Sequence, residues 1–383
     1  MKKCILFLSV ICVIFFVECK RNDSTNSIVC IKGTSLNEVK YLSSVFNYSK
    51  IIQLETIDKS LIGRHINKIK KLNNKYYISY DNLALLIFDC QGKFLNKIQK
   101  IGGGPDEYVQ LNDFDVFPNG DIIILDNKKL LFYSENGEFV KKISLSITGF
   151  NIKVINEENF LICASGEKYS IYLINGNADI VSKQIETNNK PVLGKSVVFF
   201  AWENDRILYQ QYFSNDFLSF NTQTKNFSNI NLLCNEDNIL SFENVKKYQK
   251  RNGHLNFIAD NPNVKVIGGI ASYTDYLFFS VGDQNSGFKC YLMNTSNNKI
   301  DYLLTENIID DISFTHTFSL LNHIVLSDSE DCFITYIYPY QIIDGLNENI
   351  KLNEQPNYQR LYSLLKDIKN IENENPILIE LKR

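Results

Sequence analysis

Two stretches of this chain read as copies of each other. "NNKYYISYDNLALLIFDCQGKFLNKI" (73–98) lies against "NGDIIILDNKKLLFYSENGEFVKKI" (119–143): turn, apolar run, aspartate, second apolar run, glycine turn, aromatic, basic residue, isoleucine. Gly92 and Gly137 stand 45 residues apart in this alignment, as do Asp81 and Asp126. A third copy spans 157–185, its turn glycine Gly176 lying 39 residues past Gly137, and weaker copies span 204–230, 274–304 and 321–343. Each unit holds short runs rich in Ile, Leu, Phe and Tyr, separated by Asn, Gly and Asp clusters, the pattern of antiparallel strands joined by tight turns. No amphipathic helical stretch recurs, so a period near 40–45 residues predicts propeller blades and not a helical solenoid. Closing the ring also removes the exposed edges that many short sheets would otherwise present. The expected fold is all-β: a six-bladed β-propeller of four-stranded antiparallel blades with a small C-terminal helix.

Two segments depart from the repeat. The passage between the fourth and fifth units is lengthened over about 235–265, with a short helix expected near Phe242–Lys250. Tyr358, Leu361, Leu365, Ile368 and Ile371 then fall at helical spacing, and "NPILIELKR" ends the chain as a strand. That strand and "SKIIQLET" (49–56) are placed to seal the last blade from both ends of the chain. The division expected is a signal peptide over 1–18, a tether and lead-in over 19–45, and the propeller over 46–383, its C-terminal helix and closing strand covering about 355–383.

The N-terminus sets an expected address. Lys2 and Lys3 precede an apolar run from Cys4 to Val17, too short for the roughly 20 residues that span a bilayer but suited to an export signal. "FVEC" resembles a bacterial lipobox, which makes Cys19 the expected acylated first residue of the mature chain and the membrane an expected partner through that lipid. Removing residues 1–18 leaves 38 Lys and Arg against 42 Asp and Glu, a net charge of −4, which argues against a nucleic-acid partner. Besides Cys19, the six remaining cysteines (Cys30, Cys90, Cys163, Cys234, Cys290, Cys332) show no CxxC or zinc spacing and read as buried small apolar residues, with a disulfide left open.

"IGGGPDEYVQL" (101–111) is the stretch that most invites a catalytic reading. A phosphate loop needs its glycines between a strand and a helix N-terminus. Here Pro105 follows Gly104 directly, no Lys-Ser/Thr comes next, and the chain continues as strand. The stretch reads as a blade-to-blade crossover, with Gly102, Gly103 and Gly104 permitting positive φ and Glu107 and Tyr108 locking it through hydrogen bonds. Gly102, Gly103, Gly104, Pro105, Glu107 and Tyr108 are retained as a candidate loop at one mouth of the channel. Asp81 and Asp126 recur in phase, which suits turn formation and leaves calcium as a candidate ion; no other cofactor is indicated. His316 and His323 lack a third ligand in register, no serine sits in a GxSxG elbow, and Trp202 reads as core, with a sugar-stacking role as the alternative.

"LETIDKSLIGRHINKI" (54–69), "FDCQGKFLNKI", "GGGPDEYVQLNDFDV" and the terminal "NPILIELK" together resemble the six-bladed β-propeller lipoproteins of Bacteroides-type bacteria, which carry a GxGPGEY-like stretch after the first repeat. The resemblance spans nearly the whole mature chain, with Asp106 standing where that family usually has glycine. It implies fold and envelope location; no reaction comes with it. Three functions stay open: an envelope module binding a ligand, an envelope protein or a glycan; a metal-dependent propeller hydrolase or lyase acting on an envelope or carbohydrate substrate; and a purely structural subunit of a larger envelope assembly.

Overall fold

The computed structural model describes residues 26–29, 37–38, 40–164, 166–186, 199–202, 205–210, 215–233, 238–241, 244, 253–285, 287–297, 299–304, 307–315, 317–366, 368 and 371–383. The chain leads in with β1 (Asn26–Val29), β2 (Asn37–Glu38) and β3 (Tyr48–Gln53). Blade 1 is β4 (Ile66–Leu72), β5 (Lys75–Tyr80), β6 (Ala84–Asp89) and β7 (Phe94–Ile98); blade 2 is β8 (Asp113–Val116), β9 (Ile122–Asp126), β10 (Lys129–Tyr133) and β11 (Phe139–Ser144). Blade 3 is β12 (Gly149–Asn156), β13 (Asn159–Ala164), β14 (Tyr169–Asn175) and β15 (Ile180–Glu186); blade 4 is β16 (Phe199–Trp202), β17 (Arg206–Gln210), β18 (Asp216–Asn221) and β19 (Phe227–Leu233). Helix α1 (Gly253–Asp260) precedes blade 5, made of β20 (Val266–Tyr273), β21 (Tyr276–Asp283), β22 (Gly287–Asn294) and β23 (Lys299–Leu304). After α2 (Thr317–Ile324) come β24 (Ser327–Asp328) and β25 (Phe333–Ile337), then α3 (Pro339–Glu348), α4 (Pro356–Leu365) and β26 (Ile377–Lys382).

The repeat reading holds: this is an all-β, six-bladed propeller of antiparallel four-stranded blades with a small C-terminal helix. Blades 1 to 5 are each contiguous in sequence, whereas the sixth joins both ends of the chain. There β26 runs antiparallel between β25 and β3, with Leu378 opposite Tyr336 on one side and Ile52 on the other. The first position of that blade is held by β24, which pairs in parallel with β4 of blade 1.

One detail differs from the sequence reading. The stretch 321–343 reads as a sixth unit of strands, but helices α2 and α3 flank a two-residue and a five-residue strand there. Pro339 begins α3, where its missing N–H costs nothing. The helix expected near 242–250 lies outside the described residues apart from Asn244, while the C-terminal helix starts at Pro356 and buries Tyr358, Leu361 and Leu365 as expected.

Apolar side chains from the two faces of each blade fill the six spaces between blades. Tyr77, Leu85 and Ile87 meet Phe114, Ile122 and Ile124 between blades 1 and 2; Ile69, Tyr76 and Phe88 meet Ile334 and Leu378 between blades 6 and 1. The largest of these clusters, between blades 5 and 6, also absorbs the inner faces of α2, α3 and α4. Turn chemistry matches the repeat: Gly92 and Gly137 take φ of +86° and +78°, a conformation open to glycine, at equivalent hairpins of blades 1 and 2.

Closure through β26 makes its buried side chains the most sensitive in the ring. Leu378 has no exposed surface and packs in the blade 6–blade 1 cluster. Leu378→Ala should lower the unfolding free energy by about 2–5 kcal/mol, read as a lower urea midpoint; an unchanged midpoint would show that the ring does not depend on this joint.

Candidate functional site

The first strands border the axis; β8, β12, β16 and β20 have a sheet partner on one side only, so N–H and C=O groups along their free edges need other partners, whereas β4 pairs with β24 on that side. On β8 and β12 those partners are charged side chains reaching from the neighbouring first strand. On β4, Lys68 and Lys70 project two residues apart toward blade 2; on β8, Asp113 and Asp115 share one face in the same way. Lys68 Nζ lies 3.1 Å from Asp113 Oδ1 and donates to the Phe114 carbonyl at 2.8 Å. Lys70 Nζ lies 2.5 Å from Asp115 Oδ1 and 3.2 Å from Asp328 Oδ2. Asp113 and Asp115 each turn a second oxygen to blade 3, accepting from the Ile152 and Val154 amides of β12 at 2.9 and 2.7 Å. Lys153, between those amides, donates to both oxygens of Asp328 at 2.9 Å.

Blades 3 and 6 face each other across a six-membered ring, so the Lys153–Asp328 pair bridges the axis. Three lysines and three aspartates thus fill the centre with no net formal charge, their side chains only 1–12% exposed. Burial alone would lower the Lys68 and Lys70 pKa values, but the facing carboxylates more than offset it and both are raised. Burial likewise opposes ionisation of Asp115 and Asp328, yet Lys70 and Lys153 hold both well below the usual carboxylate range. Asp113 is the exception, its carboxyl pushed up by burial against the pull of Lys68.

A second cluster joins blade 1 to the closing strand. Lys71 lies 2.6 Å from Glu380 on β26 and 2.9 Å from Asp331, and the Tyr76 hydroxyl donates to Glu380 at 2.7 Å. Blades 4 and 5 use neutral groups instead: Gln210 donates to the Ile267 carbonyl at 2.8 Å and Ser272 to the Ala201 carbonyl at 2.6 Å.

The glycine stretch is where the crossover reading puts it, between β7 and β8. Tyr108 is fully buried, its hydroxyl donating to the Leu83 and Ile98 carbonyls at 2.7 and 3.1 Å, and Glu107 accepts from the Gly104 amide at 2.7 Å. Asp106 pairs with Lys100 at 2.7 Å, which lowers its pKa, and its carbonyl accepts from the Tyr133 hydroxyl. One expectation fails: none of Gly102, Gly103 and Gly104 has a positive φ. At Gly102 a Cβ would lie 2.1 Å from Glu107 Oε2, so a larger residue there would displace the carboxylate that accepts from Gly104.

The in-phase aspartates do one local job. Asp81 accepts from the Arg64 and His65 amides, both at 3.0 Å, and Asp126 from the Val109 amide at 3.0 Å. In blade 3, Glu167 takes the same role toward the Thr148 amide at 2.9 Å. Each acid thus ties down the segment that enters its blade. Among the described residues no three His, Cys, Asp or Glu side chains converge as a metal-ligand set. His323 stacks on Tyr336 at 3.9 Å and bonds its carbonyl. Cys90, Cys163, Cys290 and Cys332 are free thiols. Cys19, Cys30, Cys234, His316 and the Trp202 side chain lie outside the described residues.

Strand directions separate two unlike faces. Among the described residues the blade-to-blade crossovers, the segment 54–65 and helices α1 to α4 lie at the end where first strands begin. At the other end, consecutive strands are joined by turns of two to five residues. Ten of the fourteen exposed large apolar side chains among the described residues lie on the first, loop-bearing face, including Leu61, Leu83, Ile101, Val109, Phe150 and Tyr340.

Charge repeating at alternate positions in "NKIKKL", "DFDV" and "IKV" was the one signal in the sequence that could have revealed the axial network. Asp328→Asn removes the acceptor shared by Lys70 and Lys153 and should cost about 3–5 kcal/mol at neutral pH. The depressed Asp115 and Asp328 contribute stability above pH ~4 that is lost as the pH falls further, while Asp113, raised by burial, works in the opposite sense. The raised Lys68 and Lys70 contribute below pH ~10.4 and lose that contribution only above it. Urea midpoints against pH should therefore show a plateau with an acid limb, and the limb should be shallower in Asp328→Asn; identical limbs would contradict the assigned network.

No curated protein matches the chain. Among solved structures it is similar to a Bacteroides fragilis protein described as exported, with a TM-score of 0.72 at 17% identity over 91% of this chain and 98% of that one. It is also similar to a Bacteroides vulgatus member of the DUF4221 family, with a TM-score of 0.49 at 9% identity over 88% and 96%. The model of the family described as "Domain of unknown function (DUF4934)" matches residues 28–382, and the chain belongs to that family.

Proposed function

We propose that this chain is a lipid-anchored envelope protein whose ring holds its loop-bearing face out to a ligand or a partner protein. The observation that carries this reading is the inequality of the two faces: one end has short hairpin turns, the other has the crossovers, four helices and most of the exposed apolar side chains. Contiguous loops on a rigid scaffold are where binding residues concentrate, because the strands fix the geometry and the loops tolerate change. Exposed Val109, Phe150 and Tyr340 supply the apolar and aromatic contact area that recognition surfaces use.

The address rests on the sequence. A basic flank, a short apolar run and Cys19 in a lipobox-like setting point to export and acylation. Among the described residues no helix is long and apolar enough to cross a membrane. Several acyl chains, at about 0.8 kcal/mol per buried CH₂, would hold the protein stably on a bilayer.

Photo-crosslinking residues introduced at Val109 or Phe150 should give discrete adducts in intact cells, whereas the same residue at Glu135 or Glu158 on the hairpin face should give none. Equal adducts from both faces, or none from either in folded protein, would overturn the binding assignment. Cys19→Ala should move the protein from the detergent phase to the aqueous phase on phase partitioning; unchanged partitioning would remove the anchor.

A further inference from the structure

The lead-in does more than connect. β1 pairs in parallel with β19, the outermost strand of blade 4, with Asn26 opposite Ile230 and Val29 opposite Leu233. β2 pairs in parallel with β23, the outermost strand of blade 5, and β3 completes blade 6. The chain therefore winds around the rim of blades 4, 5 and 6 before entering blade 1. The register fits the chemistry of the edges. Outer strands β7, β11 and β15 of blades 1 to 3 carry Lys97, Lys141 with Lys142, and Lys183, charges that discourage pairing at an open edge. β19, "FSNINLL", carries no charge, as suits an edge that its own chain covers.

From this geometry we infer that the rim of blade 4, on its hairpin side, is the part of the ring held against the bilayer, with the loop-bearing face of blades 1 and 2 turned away from it. The inference rests on the acylation of Cys19 proposed above. Asn26 lies seven residues beyond Cys19, a leash of at most about 25 Å when fully extended. A globule of this chain length is on the order of 50 Å across. A lipid on that leash reaches the rim of blade 4 but not the opposite rim at blade 1. Direction adds to length: β19 runs from the hairpin face to the loop face, and β1 runs with it, so the chain reaches Asn26 from the hairpin side. The partner surface is thus a lipid headgroup layer, reached through the leash and not through a basic patch. Its consequence is that the crossover carrying Val109, between blades 1 and 2, projects away from the membrane.

The test uses the full-length acylated protein in phosphatidylethanolamine–phosphatidylglycerol vesicles containing a headgroup-labelled energy acceptor. A donor fluorophore is placed, through a genetically encoded azide, at Gln223 on the β18–β19 turn of blade 4 or at Val109. Transfer from Gln223 should exceed transfer from Val109 severalfold. Inserting thirty Gly and Ser residues after Asp23, a coil of about 30 Å root-mean-square length, should erase the difference. Vesicle-bound protein with equal transfer from the two sites, or greater transfer from Val109, overturns the orientation and leaves the anchor standing. A difference that survives the insertion overturns the leash as its cause. Wild-type protein that fails to bind vesicles, as Cys19→Ala should fail, overturns the anchor and the orientation with it.

Discussion

Sheets arranged radially leave first strands facing the axis, four of them (β8, β12, β16 and β20) with an unpaired edge there, and the structure is organised by how those edges are satisfied. Buried N–H and C=O groups without partners would each cost about 1–3 kcal/mol, so a ring of open edges would offset much of the stability gained between blades. Here the aspartates of β8 accept from the amides of β12, Lys68 donates to a carbonyl of β8, and Asp328 draws Lys70 and Lys153 together across the centre. Because Lys153 stands on blade 3 and Asp328 on blade 6, the network ties opposite sides of the ring and not only neighbours.

The outer edges follow a different rule. In blades 1 to 3, lysines on the outermost strands lie across aromatic rings: Lys97 over Tyr80 at 5.7 Å, Lys141 over Phe132 at 4.7 Å and Lys183 over Tyr169 at 4.7 Å. The stems cover apolar surface while the ammonium groups stay near water, which keeps these edges from pairing with other chains. In blades 4 and 5 the lead-in strands cover the edge directly. Three outer edges are thus protected by charge and two by backbone.

Much of this was legible in the sequence, and the exceptions share a cause. Blades 1 and 2 could be aligned by eye because Gly92 and Gly137 occupy turns that demand positive φ, and because Asp81 and Asp126 each bind amides at the entry to their blade. Those are local requirements, written within a few residues. The sixth blade was legible at its closing strands, β3 and β26, but its helices were not, since "YIYPYQII" has the composition of a strand on both sides of Pro339 while only its first part pairs with β26. The glycines at 102–104 were placed in a crossover, but spacing cannot show that Glu107 is what approaches Gly102. The axial ion pairs were missed altogether: Lys70 and Asp328 lie 258 residues apart, and only blade order and strand register bring them together.

Closure and, on the proposed acylation of Cys19, tethering fall to the same stretch of chain, and this has a mechanical consequence. β3 is at once the outer strand of blade 6 and the continuation of β1 and β2. A pull on the N-terminus would act along β3 and in shear against β26 if nothing preceded it. The pairs β1–β19 and β2–β23 lie upstream of β3, so each must slip before load reaches the closing blade. A pull along the strand direction at the N-terminus would load the four-residue β1–β19 pair in shear first and the two-residue β2–β23 pair next. The rims of blades 4 and 5 thus stand between such a load and the joint on which ring closure depends.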